Sequence, residues 1–136
     1  MSSGKDLWVA VRQELITDIA VMALVNDVFD KVPDSPWGEK EAYISRGPFY
    51  GIADDADCVD GQEITVQIDI WSRRPDRWSM DDMVDAVRAA LHEKDLDLSA
   101  SALVGLRVSL WRIMDDPDPL TVHGVVQLTA LVEEIA

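Results

Sequence analysis

Ile64, Val66, Ile68 and Ile70 alternate with Thr65, Gln67 and Asp69. A two-residue period sends successive side chains to opposite faces, so this stretch predicts the strongest β-strand of the chain. The alternation then fails, because the next position on the polar phase is Trp71. An indole on the water side of a strand needs cover, either from its own chain or from another.

Near the N-terminus the period changes. Leu7, Trp8, Val11, Leu15, Ile19 and Met22 recur at steps of three and four, which predicts helix from about residue 5 to 25. Ser3 is the expected N-cap, and Thr17-Asp18 offers a second cap, so two helices meeting at an elbow are an alternative to one. Residues 28–32 read as extended, and "PDSPWGEKE" (33–41) as loop, because two prolines and a glycine break any repeat. "AYISRGPFYGIAD" (42–54) predicts a strand interrupted at Gly47-Pro48. Proline has no N–H for a ladder, which points to an edge strand or a bulge. "DDADCVDGQ" reads as a turn.

After "RRPDRW" a second helix is expected, with Ser79 as its cap and Asp82 in the first turn, where the dipole favours an acid. Trp78 and Met83 stand at staple spacing, and Met83, Val84, Val87, Ala90 and Leu91 form the stripe to be buried. Two more strands follow, at 103–114 and 121–134, joined by "DDPDPL". Helix, strands, helix, strands predicts an α+β fold. We expect a mainly antiparallel sheet of four to five strands, two main helices on one face, and one domain over 1–136.

Trp111 repeats the anomaly of Trp71. It follows Arg107 and Ser109 on the polar phase of a strand whose Leu106, Val108 and Leu110 are expected to point inward. Val125 and Leu131 likewise interrupt the Gln127–Thr129–Glu133 face. Two explanations stand side by side. A bulge or the N-terminal helix brings the indoles under cover, or they anchor a subunit interface, where aromatic residues are enriched.

Hydrophobic residues make up 48% of the 136 and charged ones 28%, ordinary for a globular domain with a core of its own. The net charge of −14 changes the picture, because so acidic a surface repels nucleic-acid phosphates and anionic lipid. Free DNA or RNA and membrane surfaces are thereby disfavoured as ligands. The first six residues lack the apolar run of a signal peptide, and nothing approaches the roughly 18 apolar residues of a span, so synthesis in the cytoplasm is the expectation. Cys58 is the one cysteine, which rules out an internal disulfide, and its acidic neighbours disfavour a reactive thiolate.

The acids invite a metal reading and do not support it. Counted from Asp55 as a calcium loop, "DDADCVDGQEITV" puts Val59 at the fifth position, glycine at the seventh and Val66 at the twelfth. "DDPDP" (115–119) is a proline-stiffened turn. His92 and His123 have no neighbour at ligand spacing, and neither a GxSxG elbow nor a glycine-rich phosphate loop is present. We therefore expect no enzyme, no metal and no cofactor.

The order of "LWVAVRQEL", "MALVNDVFDKVP", an acidic turn, "GQEITVQIDIWSR", the helix "MDDMVDAVRAALHEKDLDL", "LVGLRVSLWRIMDDPD" and "HGVVQLTALVEE" resembles one family across nearly the whole chain. This family comprises the tail completion or tail terminator proteins of long-tailed phages and gene transfer agents. The long "PDSPWGEKE" loop and the aspartate-rich surface depart from its pattern. The resemblance implies a structural protein of the virion tail, in the neck region, assembled in the host cytoplasm. It further implies a ring of identical subunits, typically six, that caps the tail tube. Tube protein would lie on one side, the head-completion or stopper protein on the other, with DNA passing transiently through the hole. On that reading Trp71, Trp111, Val125 and Leu131, with Arg73 and Arg74 beside the strand end, are the candidate interface. Asp54, Asp55, Asp57, Asp60, Asp115, Asp116 and Asp118 are candidates to line the channel and keep DNA from sticking. A small-molecule-binding or enzymatic domain would need polar groups on the inner sheet face, which is aliphatic. An acidic inhibitor that mimics DNA would array its carboxylates regularly, whereas here they bunch in turns.

Overall fold

The computed structural model describes residues 2–54 and 61–134. The N-terminal pattern breaks at Asp18, and the chain takes the elbow. α1 (Ser3–Thr17) ends and α2 (Ile19–Leu24) begins around Asp18, whose extended backbone leaves its carboxylate free to accept the N–H of Val21. The first cap lies one residue earlier than expected: Ser2, not Ser3, accepts the N–H of Lys5, and Ser3 is buried beside Ser101.

Five strands form one sheet: β1 (Val28–Phe29), β2 (Ala42–Asp54), β3 (Gly61–Ser72), β4 (Ser101–Asp115) and β5 (Val122–Glu134), in the order β1-β2-β3-β5-β4. All neighbours are antiparallel except β1, which pairs in parallel with the start of β2. The sheet is therefore mixed, and the expected α+β class is the observed one, with a third, short helix added. α3 (Ser79–Leu91) packs its Met80, Met83, Val84, Val87 and Leu91 against Ile64, Val66, Ile68 and Ile70 of β3 and Val126, Leu128 and Val132 of β5, all buried. Leu7, Val11 and Leu15 of α1 complete the layer. Gly124 lets α3 come this close: a Cβ there would lie 2.5 Å from the sulfur of Met80.

The start of α3 differs from expectation. Ser79 is its first residue rather than its cap, and Trp78 at the cap position makes no side-chain capping bond. Asp76 serves instead: its carboxylate accepts the N–H of Trp78, and its carbonyl accepts the Ser79 hydroxyl. With the turn built this way Trp78 points outward, 78% exposed, and no staple to Met83 forms.

Three irregularities in register decide which way the edge residues face. β2 shifts between Arg46 and Phe49, at the predicted Gly47-Pro48 break. β4 shifts between Leu103 and Gly105, and again between Val108 and Leu110. Because side chains alternate strictly, the extra residue Ser109 reverses every face after it. Leu110, expected inward, joins the open face of the sheet, whereas Trp111 and Ile113 turn to the helix-bearing side.

Candidate functional site

The open face of the sheet, opposite the helices, carries most of the anomalous residues. Tyr43, Trp71, His123 and Met114 stand in register across four strands. The indole of Trp71 lies on the His123 ring at 3.8 Å and 10°, with Tyr43 stacked on its other flank at 6.4 Å. Trp37 meets Tyr43 edge-on at 4.8 Å, and Arg73 lies over Trp37 at 4.1 Å. The indole N–H of Trp71 donates to the Ser45 hydroxyl at 3.1 Å. Trp71 is thus half-buried by its own chain, and the ladder supplies its cover.

Beneath the ladder the face is polar and internally bonded. Asp69, itself buried, receives the Gln67 amide at 2.9 Å and pairs with His123 Nε2 at 2.8 Å. Thr65, Thr129 and Ser109 form a chain of hydroxyls at 3.2 and 3.0 Å. Val125 is fully buried between Asp69 and Arg112, while Leu131 is half-buried between Glu63 and Gly105.

Trp111 lies elsewhere, on the helix side of the outermost strand. It is 45% exposed, with the Arg88 guanidinium 4.8 Å over its ring. The two indoles singled out together therefore occupy different faces, one half-buried by its own chain and one open. Val104, Leu110 and Ile113 share the exposure of β4, and Phe49, Tyr50 and Ile52 expose the far half of β2. The open groove between α3 and β4, about 570 Å³, is lined by Arg88, His92, Leu110 and Trp111.

Arg74 is committed within the chain, donating to the carbonyls of Lys40 and Leu24 and so holding the 33–41 loop. Arg73 sits 3.8 Å from Asp118, and Arg77 pairs with Asp115. The N–H of Leu120 and the hydroxyl of Thr121 hold the Asp118 carboxyl below its ordinary value. Asp116 accepts the N–H of Asp118, so this cluster ties its own turn together. Asp55, Asp57 and Asp60 lie outside the described residues, as does the side chain of Asp54. The ends of β2 and β3 at Asp54 and Gly61 lie at the opposite end of the sheet from the 115–118 turn. Among the described residues, no three acids or histidines cluster to hold a metal ion.

Trp37 and Tyr43 were not singled out from sequence, and His123 was weighed only as a metal ligand. Their signal lay in the register, since Tyr43 and His123 flank Trp71 only once β2 and β5 pair with β3.

The model of the tail completion protein gp17 family matches residues 9–133. The chain belongs to this family. Among solved structures, a chain of the virion of a native gene transfer agent particle superposes with a TM-score of 0.88 at 26% identity. The match covers 97% of this chain and 98% of that one. No curated protein matches significantly. Membership in a family of structural tail proteins makes the exposed strands the surfaces to consider. This tail completion protein is a structural component of a phage-like tail.

Proposed function

We propose that this tail completion protein closes into a ring of identical subunits on the finished end of the tail tube. There it stops further tube subunits from adding, and its other side receives the head-completion complex. DNA passes through the central hole. The observation that carries this reading is the match to a gene transfer agent virion chain over nearly the whole length of both proteins. The surface supports it: two strand edges bearing large exposed apolar residues are suited to head-to-tail contacts between copies, which close into rings. The net charge of −14 suits a conduit that must not bind DNA.

Elongation of purified tube protein tests the proposal. Added at substoichiometric amounts, the protein is expected to shorten the final tubes and to be found at one end of each. Tubes of unchanged length with the protein absent from their ends would refute it.

A further inference from the structure

We propose that the outer edge of β4 pairs with the far half of β2 from a second copy, continuing the sheet from subunit to subunit. The inference rests on the ring reading and names the contact that would build the ring.

Backbone direction provides the first support. On β4, the carbonyl of Leu106 accepts the N–H of Glu93, and the N–H of Val108 donates to His92 Nδ1. These groups therefore point away from β5, and the end of α3 plugs the edge there. Beyond the Ser109 bulge the antiparallel alternation turns the N–H and C=O of Trp111 and Ile113 outward, and no such plug covers them among the described residues. On β2, the outward groups of Ala42 and Ile44 are taken by Asn26 and Asp27. β1 stops at Phe29, so Phe49, Gly51 and Ala53 present outward groups with no strand beside them among the described residues. Each edge is thus capped over one stretch and open over another.

Polarity and chemistry complete the match. The order β1-β2-β3-β5-β4, antiparallel from β2 onward, leaves β2 and β4 running in opposite directions. A second copy can therefore add its β2 to β4 in the antiparallel sense without turning over, a heterologous contact that repeats. Both edges are apolar on both faces. Trp111 and Ile113 lie on the helix side with Phe49, whereas Leu110 lies on the open side with Tyr50 and Ile52. Joined edges bring like layers together as cross-strand pairs. Charge agrees as well: residues 101–114 hold Arg107 and Arg112 and no acid, while Glu63 stands opposite Ile52 at the far end of β2. An unrelated partner would need none of this complementarity between the two edges of one chain.

A charge swap tests the pairing. Leu110→Glu would face the neighbour's Glu63, and Ile52→Lys the neighbour's Arg112. Both sites are exposed, at 43% and 59%, so far-UV circular dichroism should report intact folds. By sedimentation velocity, each single variant is expected to raise the half-assembly concentration about tenfold or more, and the double variant to return to within about threefold of the parent. Rescue cannot arise inside one subunit, because β3 and β5 hold the two strands roughly 14 Å apart. Single variants that assemble like the parent, or a double variant that is not rescued, would overturn the edge pairing and leave the ring intact. A parent protein that stays monomeric even with tube protein present would overturn both.

Discussion

Replacing Trp71 by alanine removes the centre of the aromatic ladder, and its cost follows from the partners that the indole holds. The stack on His123 at 3.8 Å and the flank of Tyr43 at 6.4 Å are each worth about 0.5–1.5 kcal/mol beyond simple burial. The bond to Ser45 adds about 1 kcal/mol, because Ser45 is buried and is left without its donor. The sum is roughly 2–4 kcal/mol. With unfolding entropy near 2.1 cal/mol/K per residue, a chain of 136 loses roughly 3.5 °C per kcal/mol, so Tm should fall by about 10 °C. Trp111→Ala removes only an exposed ring under Arg88 and should cost about 1 kcal/mol or less. Trp71→Phe keeps the stack and removes the indole donor, an intermediate loss of about 1 kcal/mol. Urea unfolding followed by far-UV circular dichroism, at concentrations below assembly, orders the three variants. Equal losses at Trp71 and Trp111, or a Trp71→Ala loss under about 1 kcal/mol, would refute the assignment of one indole to the fold and the other to the surface.

Asp6 is buried on α1; burial disfavours its charge, but the N–H groups of Ala100 and Ser99 and the Ser99 hydroxyl outweigh that and hold its carboxyl below the usual value. A depressed folded pKa contributes stability that is complete above the ordinary carboxylate value and is lost as pH falls through the folded one. Asp6→Asn should therefore cost about 1.5–3 kcal/mol at pH 7 and flatten the loss of stability below about pH 4, measured by urea midpoints across pH. Gly124→Ala drives a Cβ to 2.5 Å from the Met80 sulfur and 3.0 Å from Val84, and should lower stability by about 1–3 kcal/mol in a thermal melt. An unchanged melt would show that α3 can lift off β5 freely. Arg74→Ala frees the carbonyls of Lys40 and Leu24 and should expose the 33–41 loop to limited proteolysis while moving the global midpoint by no more than about 1–2 kcal/mol.

Much of the fold was legible because it rests on periodicity. Ile64 to Ile70, the stripe from Met83 to Leu91 and the break at Gly47-Pro48 each behave as local pattern dictates, and Asp18 serves as the second cap. What failed was set by single extra residues or by neighbouring turns. Nothing in "RVSLWR" marks Ser109 as a bulge, yet that residue sends Leu110 outward and Trp111 to the helix side. Trp78 satisfied a staple spacing, but the Asp76 turn fixed the start of α3 first. The candidate site divides along the same line. Trp71 was recognised as needing cover, but its cover comes from Tyr43 and His123, distant in sequence and adjacent only through strand order. Trp111 was grouped with it by phase, and the structure separates them. Arg74 donates from Nε and one terminal nitrogen to the carbonyls of Lys40 and Leu24, a pairing that depends on where the 33–41 loop folds back.

Two features weigh against a ligand-binding domain. The layer between helices and sheet is filled by aliphatic side chains, methionines and Trp8, and the polar groups of the open face are bonded to one another. Exposed chemistry concentrates instead at the strand edges, where protein partners make ladder bonds.

Electron microscopy of the purified protein, alone and mixed with tail tubes, tests the central claim most directly. We expect closed rings with a central hole, found singly at one end of each tube. Isolated monomers that leave both tube ends bare, or open filaments in place of rings, would contradict it.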